Sequence, residues 1–239
     1  MSVNIEELDY QQTSIGELIL RRRRFPILGE SDVFEVILND EFLMSSLFTA
    51  GEIALAELGL SYCKADKIDV IVGGLGLGYT AAAALEDSRV KSMTVVEALP
   101  TVISWHHRGL LPVSKNLSSD LRTIFHRDDF FKLAGDKFTE LSPGDNNRRY
   151  HAILLDIDHS PNHVLQPGNG AFYTAAGLTR LRDCLHESGV FALWSNDKPE
   201  ESFASLLSEI FPTTTAHIVS VDNPLTGKKG GNTIYLARC

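Results

Sequence analysis

The pattern of apolar and polar positions divides the chain into a short N-terminal β part and a longer α/β part. Apolar runs at residues 17–21 and 33–38 flank a connection that contains proline and glycine, and this order of strand, turn and strand is typical of a hairpin. Residues 50–60 then carry apolar side chains at helical spacing. We therefore expect a small β-hairpin segment over residues 1–48 and a larger domain over residues 49–239.

From residue 68 onward, continuous apolar runs alternate with segments of helical pattern. The predicted strands cover residues 68–72, 93–97, 122–126, 150–156 and 189–194. The predicted helices cover residues 79–87, 99–109 and 173–186, with two more beginning near 128 and 199. Residues 214–221 and 232–237 predict a C-terminal hairpin. Apolar strands separated by helices imply a mostly parallel sheet covered on both faces, so the predicted fold class is doubly wound α/β.

Composition and charge limit the possible partners. The 239 residues are 44% hydrophobic and 22% charged, which is typical of a globular protein with a substantial core. The formal net charge is -9. An acidic chain of this kind is a poor candidate for binding nucleic acid or an anionic membrane surface, and its charge is compatible with a cationic substrate.

The cysteines and the N-terminus indicate the cellular compartment. Cys63, Cys184 and Cys239 are far apart and lack metal-binding spacing, which favours reduced thiols and a cytoplasmic protein. The polar, acidic N-terminus does not have the pattern of a cleaved signal peptide. The most apolar stretch, residues 68–85, contains an aspartate and several glycines and does not predict a transmembrane helix.

A glycine-rich turn follows the first strand of the predicted sheet. Gly73, Gly74, Gly76 and Gly78 stand where the chain must turn sharply and where a ligand can approach the backbone. The spacing is G-x-G-x-G, not the G-x-G-x-x-G of nicotinamide enzymes. Glu97 ends the next strand, where a carboxylate can accept hydrogen bonds from ribose hydroxyls. A tight turn beside an ordinary acid would look the same, but turn, strand order and acid together favour a nucleoside site.

Three further carboxylates follow predicted strands. Asp128 and Asp129 come after the third strand, where a carboxylate can meet an adenine amino group or can cap the following helix; both roles stay open. Asp156 ends the fourth strand, at the edge where open α/β sheets bind ligands. There it could bind an amine and take its proton, which makes Asp156 the candidate catalytic residue.

The loop after Asp156 carries more polar side chains. Asp158 and His159 are candidates for substrate binding, whereas a solvated position is the preferred interpretation for His163. A metal site built from these residues has no recognised spacing, so we favour an organic ligand and expect no metal. The proline and glycine content of residues 157–171 is typical of a lid.

Two other features are predicted to be structural. Four consecutive arginines, Arg21 to Arg24, are interpreted as a solvated strand edge, because an isolated basic run in an acidic protein is weak evidence for nucleic-acid binding. Trp105 lies in the middle of a predicted helix beside apolar residues and is predicted to pack in the core.

From about residue 68 to the end, the chain resembles the spermidine synthase (polyamine aminopropyltransferase) family, within the S-adenosylmethionine-dependent methyltransferase fold superfamily. The resemblance rests on the glycine turn, on TVVEALPTVI, on Asp128/Asp129, on the Asp156 strand end and on FYTAAGLTRLRDCLHESGVFALWSN. The segment YQQTSIGELIL is similar to the N-terminal hairpin of the family. This resemblance implies a seven-stranded class I methyltransferase (Rossmann-like) sheet with an antiparallel last strand. It also implies adenosyl binding over Gly73–Gly78 and Glu97, and catalysis by Asp156.

The chain departs from the family at several motifs, of which two lie at the predicted site. The glycine turn of the family carries an aspartate that holds the aminopropyl donor, where this chain has Leu75-Gly76-Leu77. The D-x-x-D-P loop of the family becomes Asp156-Ile157-Asp158-His159-Ser160-Pro161.

Three functions remain as hypotheses. The first is an aminopropyltransferase-like enzyme that uses decarboxylated S-adenosylmethionine, or S-adenosylmethionine itself, and a small-molecule amine. The second is a methyltransferase that uses S-adenosylmethionine on the same scaffold. The third is a non-catalytic nucleoside-binding protein. The sequence leaves the oligomeric state open, with a homodimer as one option.

Overall fold

The computed structural model describes residues 4–29, 31–145 and 147–239. The N-terminal part is a four-stranded antiparallel sheet with the order β1-β2-β3-β4. Its strands are β1 (Asn4–Thr13), β2 (Gly16–Arg24), β3 (Asp32–Leu38) and β4 (Glu41–Ser45). The predicted hairpin is the pair β2–β3, in which Leu18 lies opposite Leu38. The apolar pattern missed β1, which is long but polar and exposed, and β4, which has only five residues. The resemblance of YQQTSIGELIL to a family hairpin did indicate the turn between β1 and β2.

The run of arginines lies in the interior of this sheet, which corrects the interpretation as a strand edge. β2 is flanked by β1 and β3, and the arginines pair with acids of those neighbours. Arg21 Nε lies 2.6 Å from Glu35 Oε2, and Glu35 is buried. Arg23 Nη1 reaches the same oxygen at 3.4 Å. Cross-strand ion pairs therefore balance the positive charge of these arginines.

The α/β part begins with α1 and continues in alternation to the end of the chain. Its helices are α1 (Ala50–Tyr62), α2 (Tyr79–Glu86), α3 (Pro100–His107), α4 (Ser114–Ser119), α5 (Phe130–Gly135), α6 (Ala175–Asp183) and α7 (Glu201–Ile210). Its strands are β5 (Ile68–Gly73), β6 (Val90–Glu97), β7 (Thr123–Arg127), β8 (Tyr150–Leu155), β9 (Leu185–Ser195), β10 (Thr213–Asp222) and β11 (Lys229–Arg238). Only α4, a short helix with a polar sequence, was missed.

The seven strands form one sheet with the order β10-β11-β9-β8-β5-β6-β7. The five strands from β7 to β9 are parallel, whereas β11 runs antiparallel to β9 and pairs with β10 as the predicted hairpin. The predicted mostly parallel, doubly wound, seven-stranded sheet with an antiparallel last strand is confirmed.

Two apolar layers cover the two faces of this sheet. Side chains alternate along β5, so that Val70 and Val72 face the layer of α1 to α4, and Ile71 faces the layer of α5 to α7. Leu18 and Leu20 of β2 belong to the first layer, so the N-terminal sheet shares a core with the α/β part. None of the helices in the described residues is long and apolar enough to cross a membrane.

Trp105 joins the two sheets. Its ring is fully buried, which confirms the predicted packing role, and its Nε1 donates to Asp9 Oδ2 of β1 at 2.7 Å. Arg108 Nη1 lies 3.1 Å from the same oxygen. These contacts hold β1 against the C-terminal end of α3.

Candidate active site

The glycine turn lies directly against the end of β8. Gly74 has φ +92°, a conformation that favours glycine, and a Cβ there would overlap the carbonyl oxygen of Asp156. The Asp156 amide donates to the Gly73 carbonyl at 2.8 Å. The turn that was predicted to bind a nucleoside and the predicted catalytic carboxylate are therefore neighbours.

Glu97 connects two turns at the carboxyl edge of the sheet. Its Oε2 accepts a hydrogen bond from the Leu75 amide at 3.1 Å, and its Oε1 accepts from the Leu99 amide at 2.8 Å. Burial raises the pKa of this carboxyl, and the hydrogen bonds from Leu99 and Leu75 oppose that rise. Glu97 thus holds the glycine turn in place, a contribution that the sequence did not predict.

The two aspartates after β7 have different contacts. Asp129 caps α5, because its Oδ1 accepts from the Phe131 amide at 2.8 Å and from the Lys132 amide at 3.3 Å. Asp128 accepts from the Asp129 amide at 2.7 Å and lies 3.4 Å from Lys132 Nζ. The Asp129 amide is the main cause of the lowered pKa of Asp128. The helix-capping role therefore belongs to Asp129.

Asp156 faces a cavity of about 590 Å³, which is within the usual size range of small-molecule sites. It is half-buried, and its Oδ2 accepts a hydrogen bond from Thr80 Oγ1 at 2.7 Å. Thr80 Oγ1 also lies 3.3 Å from the backbone oxygen of Glu52. Burial raises the pKa of Asp156 to about 6.

Glu52 is a second carboxylate in this cavity, and the sequence analysis missed it. It stands in the first turn of α1 and is half-buried. Burial, and then the negative charge of Asp156, raises the pKa of Glu52 to about 8. An acid in the first turn of a mostly apolar helix was the signal in the sequence, but the pattern could not show that α1 begins beside the end of β8.

The walls of the cavity come from three places. The N-terminal sheet and its link to α1 contribute Phe42, Met44 and Phe48; the α/β part contributes the glycine turn, Tyr79, His159 and Trp194; and the β10–β11 hairpin contributes Thr226 and Lys228 to Asn232. Met44 lies against the glycine turn, since a Cβ on Gly76 would stand 2.9 Å from Met44 Sδ. Glu97, Asp128 and Asp129 lie outside the lining of this cavity, at the ends of the adjacent strands.

A metal cluster is not evident in the part of the chain that the structure describes. Among residues 4–29, 31–145 and 147–239, no three His, Cys, Asp or Glu side chains come together in a way that could hold a metal ion.

No protein-family model and no curated protein sequence matches the chain. Solved structures do match. A spermidine synthase in complex with the transition-state analogue AdoDATO superposes with a TM-score of 0.71, at 16% sequence identity, over 97% of this chain and 72% of that chain. The spermidine synthase from Thermotoga maritima gives a TM-score of 0.72 with the same identity and coverage.

The chain has the fold of spermidine synthase. The resemblance in the sequence is thereby confirmed for the fold, including the N-terminal sheet, because the match extends over nearly the whole chain.

Within this spermidine synthase fold, Asp158 is an internal anchor of the loop after β8. It is 1% exposed and does not line the cavity. It accepts hydrogen bonds from the Leu165 amide at 2.7 Å, Asn169 Nδ2 at 2.8 Å and the Tyr173 hydroxyl at 2.8 Å. These contacts occupy both carboxylate oxygens, so the structure places Asp158 away from any substrate in the cavity, contrary to the expectation from the sequence.

His159 does line the cavity, and its ring packs against that of His163 at a centroid distance of 4.8 Å. The Asn196 amide donates to the His159 carbonyl at 2.7 Å, which ties the loop to the end of β9. The hydrogen bonds of Asp158 and His159 therefore anchor this loop more firmly than we expected from its composition, which is typical of a lid.

We expect the Asp158→Ala variant to have a markedly lower melting temperature than the parent protein. The change leaves a buried tyrosine hydroxyl, an amide side chain and a backbone amide without their acceptor. Each such group lowers the free energy of unfolding by about 1–3 kcal/mol. Limited proteolysis should cut residues 157–171 faster in the variant. An exposed aspartate, Asp66→Ala, is the control. Equal melting temperatures and cutting rates would contradict the anchoring role.

Proposed function

We propose that this protein is a transferase that moves an aminopropyl group from decarboxylated S-adenosylmethionine, or from a close relative of it, to a small-molecule amine. The observation that carries the proposal is the position of Asp156: a half-buried carboxylate at the end of a central strand, in contact with the glycine turn and open to a cavity. The spermidine synthase fold supports this choice among the reactions that such a sheet can host.

The donor would lie along the edge formed by the ends of β5, β6 and β7. Glycines 73, 74, 76 and 78 allow its adenosyl group to approach the backbone, and Glu97 offers its remaining lone pairs to the ribose hydroxyls. Asp128 is the acid of its pair that does not cap a helix, which supports a contact from this residue to the adenine amino group.

The acceptor would lie in the cavity, with its nitrogen between Asp156 and Glu52. Two carboxylates in one half-buried cavity repel each other, and a bound ammonium group relieves that repulsion. Aromatic walls from Phe42, Phe48 and Trp194 add favourable surfaces for a cation and its methylene chain.

In the transfer step, the amine nitrogen attacks the donor carbon that is bonded to the sulfonium sulfur. A C–N bond forms as the C–S bond breaks, and the electron pair of the C–S bond goes to sulfur, giving the neutral thioether methylthioadenosine. Before the attack, Asp156 takes one proton from the bound ammonium group, which frees the nitrogen lone pair. Most of the rate enhancement would come from holding nitrogen, carbon and sulfur in line.

A methyl transfer from S-adenosylmethionine is the second candidate. It is favoured by the glycine turn, which has Gly76 with Met44 packed on it instead of an acid that could hold the donor amine. Calorimetric titration of the protein with decarboxylated S-adenosylmethionine, S-adenosylmethionine and methylthioadenosine separates the candidates. Preference for the decarboxylated donor supports aminopropyl transfer, preference for S-adenosylmethionine supports methyl transfer, and failure of all three to bind rejects both.

The binding of a simple amine should depend on pH through Glu52. The pKa of Glu52 is raised to about 8, so this carboxyl is neutral below that pH and charged above it. An ammonium group binds the charged form better, and we therefore expect the affinity for hexylamine to rise as the pH increases through about 8. The Glu52→Gln variant should lose this rise.

Glu57→Gln, on the exposed face of the same helix, makes the same change in charge and serves as the control for that experiment. It should keep the pH dependence of the parent protein. A rise that persists in Glu52→Gln would show that Glu52 does not face the amine.

A further inference from the structure

The charges that line the cavity are separated by sign. The two carboxylates, Glu52 and Asp156, are half-buried at the inner end, whereas Lys228 and Lys229 are exposed on the β10–β11 hairpin. Among the described residues, the other titratable side chains of the lining are His159 and Tyr79. A ligand that fills this cavity therefore meets negative charge at one end and positive charge at the other.

The register of the sheet brings the two ends to the same edge. Asp156 follows Leu155, which pairs with Leu193, and Leu193 in turn lies opposite Tyr235 of β11. Lys229 is six residues earlier in β11 than Tyr235, and because β11 runs antiparallel to β9, Lys229 lies beyond the carboxyl edge of the parallel strands, where Asp156 also lies. The hairpin thus projects beyond the sheet, and both lysines line the cavity that Asp156 faces.

These lysines have little competition from acids of the protein. Among the described residues, no carboxylate oxygen lies within 4.0 Å of Lys228 Nζ. Lys229 Nζ is 3.9 Å from Asp222 Oδ1, but both side chains are about four-fifths exposed, at 81% and 78%. Exposed pairs of this kind are weak, so both ammonium groups can bind an anion from a ligand.

We propose that the acceptor is a primary amine that carries an anionic group, such as a carboxylate, at the end remote from the reacting nitrogen. This inference rests on the proposed function for the identity of the reacting end, where Asp156 and Glu52 receive the ammonium group. The lysines of the hairpin receive the anionic end. A simple diamine places its second positive charge beside Lys228 and Lys229, which disfavours it.

Three primary amines with the same six-carbon chain test this preference. ε-Aminocaproate ends in a carboxylate, hexamethylenediamine in an ammonium group and hexylamine in a methyl group. Calorimetric titration, with and without saturating methylthioadenosine, should give the order ε-aminocaproate, hexylamine, hexamethylenediamine from tightest to weakest. In the double variant K228Q/K229Q the advantage of ε-aminocaproate over hexylamine should fall by about three- to tenfold, and in K228E/K229E hexamethylenediamine should bind tightest.

The control is K91Q/K115Q, which removes two exposed lysines outside the cavity and should leave the order unchanged. Tighter binding of hexamethylenediamine to the parent protein, or no binding of ε-aminocaproate, overturns the proposal. It is also overturned if K228Q/K229Q lowers the affinity for S-adenosylmethionine but not the affinity for ε-aminocaproate, because the lysines would then bind the carboxylate of the donor. If the protein binds no adenosyl ligand, the proposed function is rejected. The titrations without nucleoside still measure the preference among the three amines in that case.

Discussion

Asp156→Asn should lower the rate of aminopropyl transfer by roughly 10²- to 10⁴-fold, which is the usual effect of removing a general base. Asparagine has the shape of aspartate, but it cannot take the proton that the amine nitrogen loses. Its Oδ1 can still accept the hydrogen bond from Thr80 Oγ1, and the backbone bond from Asp156 to Gly73 does not involve the side chain. Donor affinity should therefore change little.

Stability separates this effect from a folding defect. The substitution removes one of two repelling carboxylates, so the melting temperature should stay the same or rise at pH above 8, where Glu52 is charged in the parent protein. Asp66→Asn, an exposed aspartate outside the cavity, is the matched control and should have the activity of the parent. An Asp156→Asn variant that transfers at the parent rate would show that the nucleophile needs no base from this residue.

Glu97→Gln should weaken the binding of any adenosyl ligand at least tenfold. The loss of charge-assisted hydrogen bonds from two ribose hydroxyls lowers the binding free energy by about 1.5–3 kcal/mol. The amide also turns its NH₂ group toward either the Leu75 or the Leu99 amide, where the carboxylate accepted a hydrogen bond, so the glycine turn loses part of its support. Calorimetry with methylthioadenosine measures the affinity.

Glu97→Ala distinguishes the two contributions of this residue. It leaves both amides without their acceptor and should lower the melting temperature more than Glu97→Gln does, while both variants lose affinity. Glu86→Gln, an exposed acid on α2, is the control for the change in charge. Affinity equal to that of the parent in Glu97→Gln would remove Glu97 from the nucleoside site.

The sequence predicted most of the α/β part because its central strands are buried on both sides. β5 and β8 are apolar along nearly their whole length, and such runs are visible without any knowledge of their neighbours. β1 is polar, because the antiparallel N-terminal sheet has an exposed face and pairs its charges across strands. Alternation and pairing of this kind leave only a weak signal in one strand taken alone.

The candidate site was partly predictable for a related reason. The glycine turn, Glu97 and Asp156 follow buried strands directly, so strand order alone brings them to one edge. The position of Glu52 depends on how α1 packs, which the pattern of a single helix does not contain. The anchoring of Asp158 depends on hydrogen bonds from residues seven to fifteen positions later, which fold back onto it.

Analysis of the reaction products tests the central claim most directly. The protein is incubated with decarboxylated S-adenosylmethionine, S-adenosylmethionine and a primary amine, and the nucleoside and amine products are separated and identified by mass spectrometry. With Asp156 as the base, aminopropyl transfer predicts methylthioadenosine together with an equal amount of aminopropylated amine, and both products should form roughly 10²- to 10⁴-fold more slowly with Asp156→Asn. Formation of S-adenosylhomocysteine with a methylated amine, or no turnover of either donor, would contradict the account.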